Sequence, residues 1–364
     1  MFDLASNTKL APLDAQLPVN VYFDEALLKR EIEQLFFRGP RYVGHELMVP
    51  KVGDYATLAH ENEGRMLVRN ARGIELMSNV CRHRQAKMLD GRGSVGNIVC
   101  PLHRWTYDLK GELTGAPHFD ATPACISLSS APLQSWGGLL FEQNGFSVAE
   151  KLAQLEPIKE FDFSGYQFDH LTVHECDYNW KTFIEVYMED YHVDACHPGL
   201  GSFVRCDQLE WRLGKDCAVQ TVGFNRRQGK SGSLPYMKWQ ELALQSDHGE
   251  TPKYGAVWLA LYPNVTVECY PHMLVISTLW PRGPQKTTNV IEFYFPEEIA
   301  LFEPDAVAAM RAAYMETAAE DDEVARRMDA GRRVLRGLGA NDSGPYQSPM
   351  EDGTRHFHEW YRSQ

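Results

Sequence analysis

The sequence predicts an α+β protein in two parts, an all-β N-terminal domain and a C-terminal domain built on an antiparallel sheet with helices. Three observations carry this reading. The 364 residues are enough for two separate cores. From Tyr42 to about Val148, short alternating strands are split by Gly, Asn and Pro, as in a β sandwich. After about Ala149, strand-like runs at 215–226, 255–269, 272–280 and 287–295 are joined by short connections, which favours antiparallel order.

Taken in order, residues 24–37 (DEALLKREIEQLFF) carry apolar side chains at helical spacing, and Gly39-Pro40 ends the run. Residues 1–40 therefore read as a helical lead segment, 41–148 as the β domain and 149–364 as the sheet-and-helix domain. Within the last, 179–196 looks helical. Tyr262-Pro263-Asn264, Tyr270-Pro271 and Pro281-Arg282-Gly283-Pro284 break successive strands. Glu303–Leu338, rich in Ala and Arg with Pro304 at its start and Gly337 and Gly339 at its end, reads as one long helix or two consecutive ones.

Lys and Arg number 36 against 49 Asp and Glu, a net charge of −13, which argues against nucleic acid or an anionic membrane as partner. The start, MFDLASNTKL, lacks a basic region followed by an apolar run, and no stretch approaches the ~18 apolar residues of a membrane span. A cytoplasmic acidic enzyme is the expectation. Cys125, Cys176, Cys196, Cys206, Cys217 and Cys269 show no pairing pattern and read as packed thiols, with Cys196 set apart by its neighbour His197.

The remaining two cysteines carry chemistry. Cys81-Arg82-His83 and Cys100-Pro101-Leu102-His103 each offer one thiolate and one imidazole on a short loop. Zinc sites usually take a Cys pair followed by a His pair, whereas here the order alternates, so each of two metals can draw like ligands from both loops. That is the ligand set of a two-iron, two-sulfide cluster with two thiolates on one iron and two histidines on the other, which raises the reduction potential. Pro101 stiffens the second loop, Trp105 and Tyr107 can roof the cluster, and Gly111 and Gly115 permit the returning turns. Between the pairs, Gly91-Arg92-Gly93-Ser94-Val95-Gly96 matches a dinucleotide-binding pattern letter for letter, but no helix follows it. It reads as a hairpin turn.

A second cluster lies in NWKTFIEVYMEDYHVDACHPG, residues 179–199, which places Glu189, Asp190, His192 and His197 close together. In an unbroken helix at about 100° per residue the two histidines would point roughly 140° apart. Pro198 disfavours helical backbone at His197, so the helix should end or bulge between them. Two neutral histidines and one carboxylate on one face of Fe(II) leave positions free for dioxygen beside a substrate.

The motifs resemble those of the Rieske non-heme iron oxygenases. C-x-H-(x)n-C-x2-H matches at all four positions, and (D/E)-x2-H-x4-H matches at Glu189, His192 and His197, with N-W-K at Asn179–Lys181. The resemblance implies a Rieske [2Fe-2S] domain followed by a helix-grip catalytic domain, and makes Asn179, Glu189 and Asp190 candidate catalytic residues. It implies a third iron ligand from a late E-D-x4-E-like pattern, here Asp321 of Glu320–Arg326, with Asp322 the alternative and Arg326 standing where an acid is frequent. On a helix Asp322 would meet Arg326 and Glu323 would meet Arg327, leaving Asp321 unengaged. It also implies that the acid at Glu189 bridges to a cluster histidine of a neighbouring subunit in a homotrimer. Electrons would come from a separate NAD(P)H-dependent reductase, with or without a ferredoxin, since no flavin or NAD module is encoded.

Two substrate classes stay open. An aromatic ring, often an aromatic acid, could be anchored by Arg226, Arg227, Lys230 or Arg282. A methylated or quaternary amine oxidised next to nitrogen could sit in an aromatic cage drawn from Tyr187, Tyr191, Tyr262, Tyr270 and Trp280. The competing classes are a Rieske electron carrier without oxygenase activity and a zinc-stabilised binding module.

Overall fold

A seven-stranded antiparallel sheet organises the larger of the two units into which the chain divides. The structure, a computed structural model, describes residues 16–119, 126–153, 155, 161–226, 233–245 and 252–364. One unit is Pro40–Val148; the other joins the residues up to Gly39 with those from Ala149 onward. The lead segment thus packs with the C-terminal part.

In the smaller unit a five-stranded sheet and two three-stranded sheets surround a core of Met66, Val68, Met77, Ile98, Tyr107 and Leu128, in which Cys81 and Cys100 are themselves buried. The Gly91–Gly96 run is not a hairpin. Arg92–Ser94 pairs with Asp54–Thr57 in one sheet, whereas Ile98–Val99 pairs with Thr106–Tyr107 in another. A Cβ at Gly93 would stand 2.8 Å from the Tyr55 hydroxyl, so a larger residue there would displace that ring.

In the larger unit the strands are β1 (Tyr166–Cys176), β2 (Val204–Leu213), β3 (Cys217–Phe224), β4 (Ala256–Leu261), β5 (Val265–Tyr270), β6 (Met273–Gly283) and β7 (Lys286–Pro296), ordered β1-β7-β6-β5-β4-β3-β2. Alternation along paired strands sets one face. Trp258 pairs with Glu268, Glu268 with Val275, and His174 with Asn289. The unit also contains helices α1 (Glu25–Glu31), α2 (Trp180–Tyr187), α3 (Val193–Cys196), α4 (Pro198–Phe203), α5 (Leu234–Gln245), α6 (Pro304–Leu338) and α7 (Asp352–Arg362).

Helix α6 is a single helix of 35 residues, begun by Pro304 and stopped by Gly339 at φ 66°. Tyr314, Thr317 and Asp321 recur at helical spacing on the side that faces the sheet cavity. Asp322 and Asp329 instead meet the start of α2: Tyr178 donates to Asp322 (2.7 Å) and Thr182 to Asp329 (2.6 Å).

Asn179 caps α2, accepting from the Lys181 N–H at 2.9 Å, while its amide donates to the Tyr22 and Pro284 carbonyls. Lys181, fully buried, pairs with Glu31 at 2.8 Å, and Glu31 also accepts from Trp180 Nε1 at 2.9 Å. Removing one member of such a buried pair costs about 3–5 kcal/mol. Asn-Trp-Lys therefore clamps the lead segment onto α2.

Candidate active site

The two cluster loops are near-copies of each other. In each, the Cys N–H donates to the carbonyl five residues on (Cys81 to Ala86, 2.9 Å; Cys100 to Trp105, 2.8 Å), and the residue four on donates back to the Cys carbonyl (Gln85, 3.0 Å; Arg104, 3.1 Å). Gln85 and Arg104 both adopt left-handed backbone, φ 61° and 60°, which is uncommon outside glycine. The thiols are buried and unpaired, and the rings of His83 and His103 lie 4.7 Å apart.

Trp105 stacks on His83 at 4.7 Å and 6°. Tyr107 accepts from the Arg82 N–H at 3.1 Å, and its hydroxyl lies 3.5 Å from Cys81 Sγ, where it can donate to a thiolate. His83 Nδ1 is buried with no hydrogen-bond partner. Leaving such an atom unsatisfied costs roughly 1–3 kcal/mol, a cost that a metal bond removes.

The histidine pair is built by a broken helix. Helix α2 ends at Tyr187, His192 caps α3, and His197 leaves helical backbone at φ −119°, ψ 78° ahead of Pro198, the first residue of α4. The break brings His192 Nε2 to 3.0 Å from His197 Nε2, with Asp321 Oδ1 at 3.3 Å from the first and 3.0 Å from the second. Outside, His192 Nδ1 faces Glu189, whose other oxygen accepts the His192 N–H at 3.1 Å, and His197 Nδ1 faces Glu320 at 2.8 Å. With both Nδ1 protons given to carboxylates, three lone pairs converge on one point. Burial opposes charge on His192, yet Asp321 and Glu189 lift its pKa to about 10. The site therefore favours a cation at that point.

Asp322 faces elsewhere. Its oxygens meet His174 Nε2 (2.8 Å) and the Tyr178 hydroxyl (2.7 Å), and it makes no ion pair with Arg326. Glu323 does pair with Arg327, at 2.7 Å.

Comparison with known proteins decides the family. Residues 163–364 match the ring hydroxylating alpha subunit (catalytic domain) family, and residues 40–134 match the Rieske [2Fe-2S] domain. The chain belongs to the Rieske ring-hydroxylating oxygenases. It is 63% identical to putrescine 2-hydroxylase of Ralstonia nicotianae, across 100% of this chain and 99% of that protein. It is 54% identical to putrescine 2-hydroxylase of Bordetella bronchiseptica, across 100% and 87%. A quaternary ammonium Rieske monooxygenase shares its fold, with a TM-score of 0.76, 19% identity and coverage of 98% and 99%.

A Rieske oxygenase needs a [2Fe-2S] cluster, a mononuclear iron, dioxygen, an organic substrate and an electron-transfer partner, and both metal sites have fitting donors. Cys81, Cys100, His83 and His103 could hold the cluster. His192, His197 and Asp321 could hold Fe(II), being mixed imidazole and carboxylate donors whose ligand atoms all lie within 4.8 Å of one another. The oxygenase domain leaves no role for the carrier-only or zinc-module readings. Among the described residues no helix is long and apolar enough to cross a membrane.

Beside the histidine pair, between the sheet and α6, lies a cavity that opens to solvent. Glu189, Asp190, Glu268 and Asp321 line it, and no Lys or Arg does among the described residues. Burial, then the Glu189 charge, push Asp190 up to about 7. Asn179, expected to be catalytic, is instead buried as a helix cap and does not line the cavity.

The anchor candidates are also corrected. Arg226 and Arg282 are exposed and line no part of the cavity, and Arg227 and Lys230 lie outside the described residues. Of the cage candidates, Tyr187 and Tyr270 line it; Tyr191 is exposed, Tyr262 packs against Trp360, and Trp280 lies elsewhere. Lining residues that the sequence reading does not single out include His174, Trp258, Glu268 and Tyr314. Glu320 was read only as part of a pattern, not as the group that orients His197.

Proposed function

We propose that this chain is the oxygenase component that hydroxylates a small aliphatic diamine of the putrescine type. One observation carries the reading: a cavity whose lining has four acids and, among the described residues, no Lys or Arg. An aromatic acid would meet like charge there, whereas alkylammonium groups find partners. The names of the relatives at 63% and 54% identity agree. Oxidative demethylation of a methylated amine, the other amine chemistry considered, gives way to hydroxylation of a carbon in an unbranched chain.

His192, His197 and Asp321 would hold Fe(II), and Cys81, His83, Cys100 and His103 would hold the cluster; together these groups would supply dioxygen activation and its electrons. In the balance, one C–H becomes C–OH while the second oxygen atom leaves as water, using two electrons and two protons. Glu189 and Glu320 keep the imidazoles in the tautomer that offers Nε2 inward.

The donor is a separate NAD(P)H-dependent reductase, directly or through a ferredoxin. The working unit is a homotrimer in which Glu189 also meets a cluster histidine of the next subunit. The test is the purified oxygenase with a surrogate reductase, NADH and dioxygen. Hydroxylated putrescine is the expected product; diols from aromatic acids, with no amine product, would overturn the reading.

A further inference from the structure

Two cavity acids, Asp190 and Glu268, neither join nor orient the proposed iron ligands, and of these Glu268 is the one set among aromatic rings. It lies on β5, 3% exposed, and its carboxylate accepts from the hydroxyls of Tyr270 (2.6 Å), Tyr314 (3.0 Å) and Thr266 (3.4 Å). Trp258 Nε1 donates to the Tyr270 oxygen at 2.8 Å, which fixes the Tyr270 proton on Glu268. All three donors are neutral, and no described Lys, Arg or His pairs with Glu268. A buried carboxylate with hydrogen bonds but no counter-cation is costly, and a cation that arrives with the ligand offsets that cost.

The walls suit such a ligand. Trp258 and Tyr270 lie 6.1 Å apart at 73°, and Tyr270 and Tyr314 lie 6.4 Å apart at 86°, so three aromatic rings stand nearly at right angles around the carboxylate. Aromatic faces attract ammonium groups, and more strongly when water is excluded. Trp258, Glu268, Tyr270 and Tyr314 line the same cavity as His192 and His197.

We propose that Glu268, boxed by Trp258, Tyr270 and Tyr314, seats one alkylammonium group of the substrate and thereby sets which carbon of the chain faces the His192–His197 pair. This rests on the amine reading above and adds the residue that enforces it. Glu268 is a specificity residue that binds substrate and moves no proton in the oxidation.

The test uses the iron- and cluster-loaded enzyme with putrescine and 1,5-diaminopentane. Glu268→Gln keeps the shape and loses the charge. The KM for putrescine should rise at least about 30-fold, the lower end of the cost of uncovering one member of a buried charge pair, with both metals retained. Glu268→Asp keeps the charge but withdraws it by about one C–C bond, ~1.5 Å. It should shift preference toward the longer diamine, an effect that merely structural damage does not produce. An unchanged KM in Glu268→Gln, or an unmoved chain-length preference in Glu268→Asp, overturns the subsite while leaving amine hydroxylation intact. A wild-type enzyme that turns over no amine overturns both.

Discussion

His197 Nδ1 stands 2.8 Å from Glu320 Oε2, so the residue just before the proposed iron-binding Asp321 fixes the ring of a proposed ligand. Two consecutive acids on α6 thus serve one histidine from opposite sides, Asp321 at Nε2 (3.0 Å) and Glu320 at Nδ1. Outer partners of this kind are typically worth 10–100-fold in metal affinity. Glu320→Gln should therefore weaken iron binding about 10–100-fold, read by iron content after graded chelation, while the visible absorption of the cluster stays. Unchanged iron retention would remove Glu320 from the site.

Asp321 and Asp322 should separate cleanly. Asp321→Ala should abolish mononuclear iron and keep the cluster. Asp322→Ala should keep iron but lower stability by about 1–3 kcal/mol, because Tyr178 and His174 lose a buried partner. Metal analysis and thermal unfolding of the two variants check this, and iron loss in Asp322→Ala alone would reverse the assignment.

How much of this was legible depended on locality. The cluster ligands sit in two short loops and the histidines in one segment, and Pro198 announced the break that brings them together. The pairing proposed for Asp322 failed because it considered only its own helix, whereas the partners came from β1 and the residues before α2. The unread strands β1 and β2 are the two edges of the sheet, where half-exposed positions blur the alternation. Glu268 lay hidden for the opposite reason. In VTVECY alternation marks Glu as solvent-facing, but that strand is covered on both faces and Glu268 points into the cavity.

Tyr107 should tune the cluster. Its hydroxyl points at Cys81 Sγ and would stabilise the more negative, reduced state. Tyr107→Phe should lower the reduction potential by roughly 40 mV, the one-electron equivalent of a hydrogen bond worth about 1 kcal/mol. A potentiometric titration followed by visible absorption measures it, and an unchanged or raised potential would contradict the assignment.

The pH dependence of amine binding should report Glu268. Burial pushes its carboxyl up to about 7 against the hydrogen bonds from Tyr270 and Tyr314, with the Asp321 charge adding to the rise; Thr266 and Tyr187 complete the facing groups. Because the folded value lies above the unfolded one, its contribution to stability of the ligand-free protein is present below about 4.5 and lost as pH rises through about 7. A bound ammonium reverses that loss. Putrescine should raise the melting temperature more at pH 8 than at pH 6, where the seat is largely protonated, and Glu268→Gln should flatten this difference. Equal stabilisation at both values in the wild type would contradict it.

The most direct test of the central claim is electron paramagnetic resonance of nitric oxide bound at the ferrous site, with and without candidate substrates. A nitrosyl signal is expected that Asp321→Ala abolishes and that putrescine reshapes while benzoate does not. A signal that survives Asp321→Ala, or responds to benzoate and ignores putrescine, would contradict an iron held by His192, His197 and Asp321 beside a seat for amines.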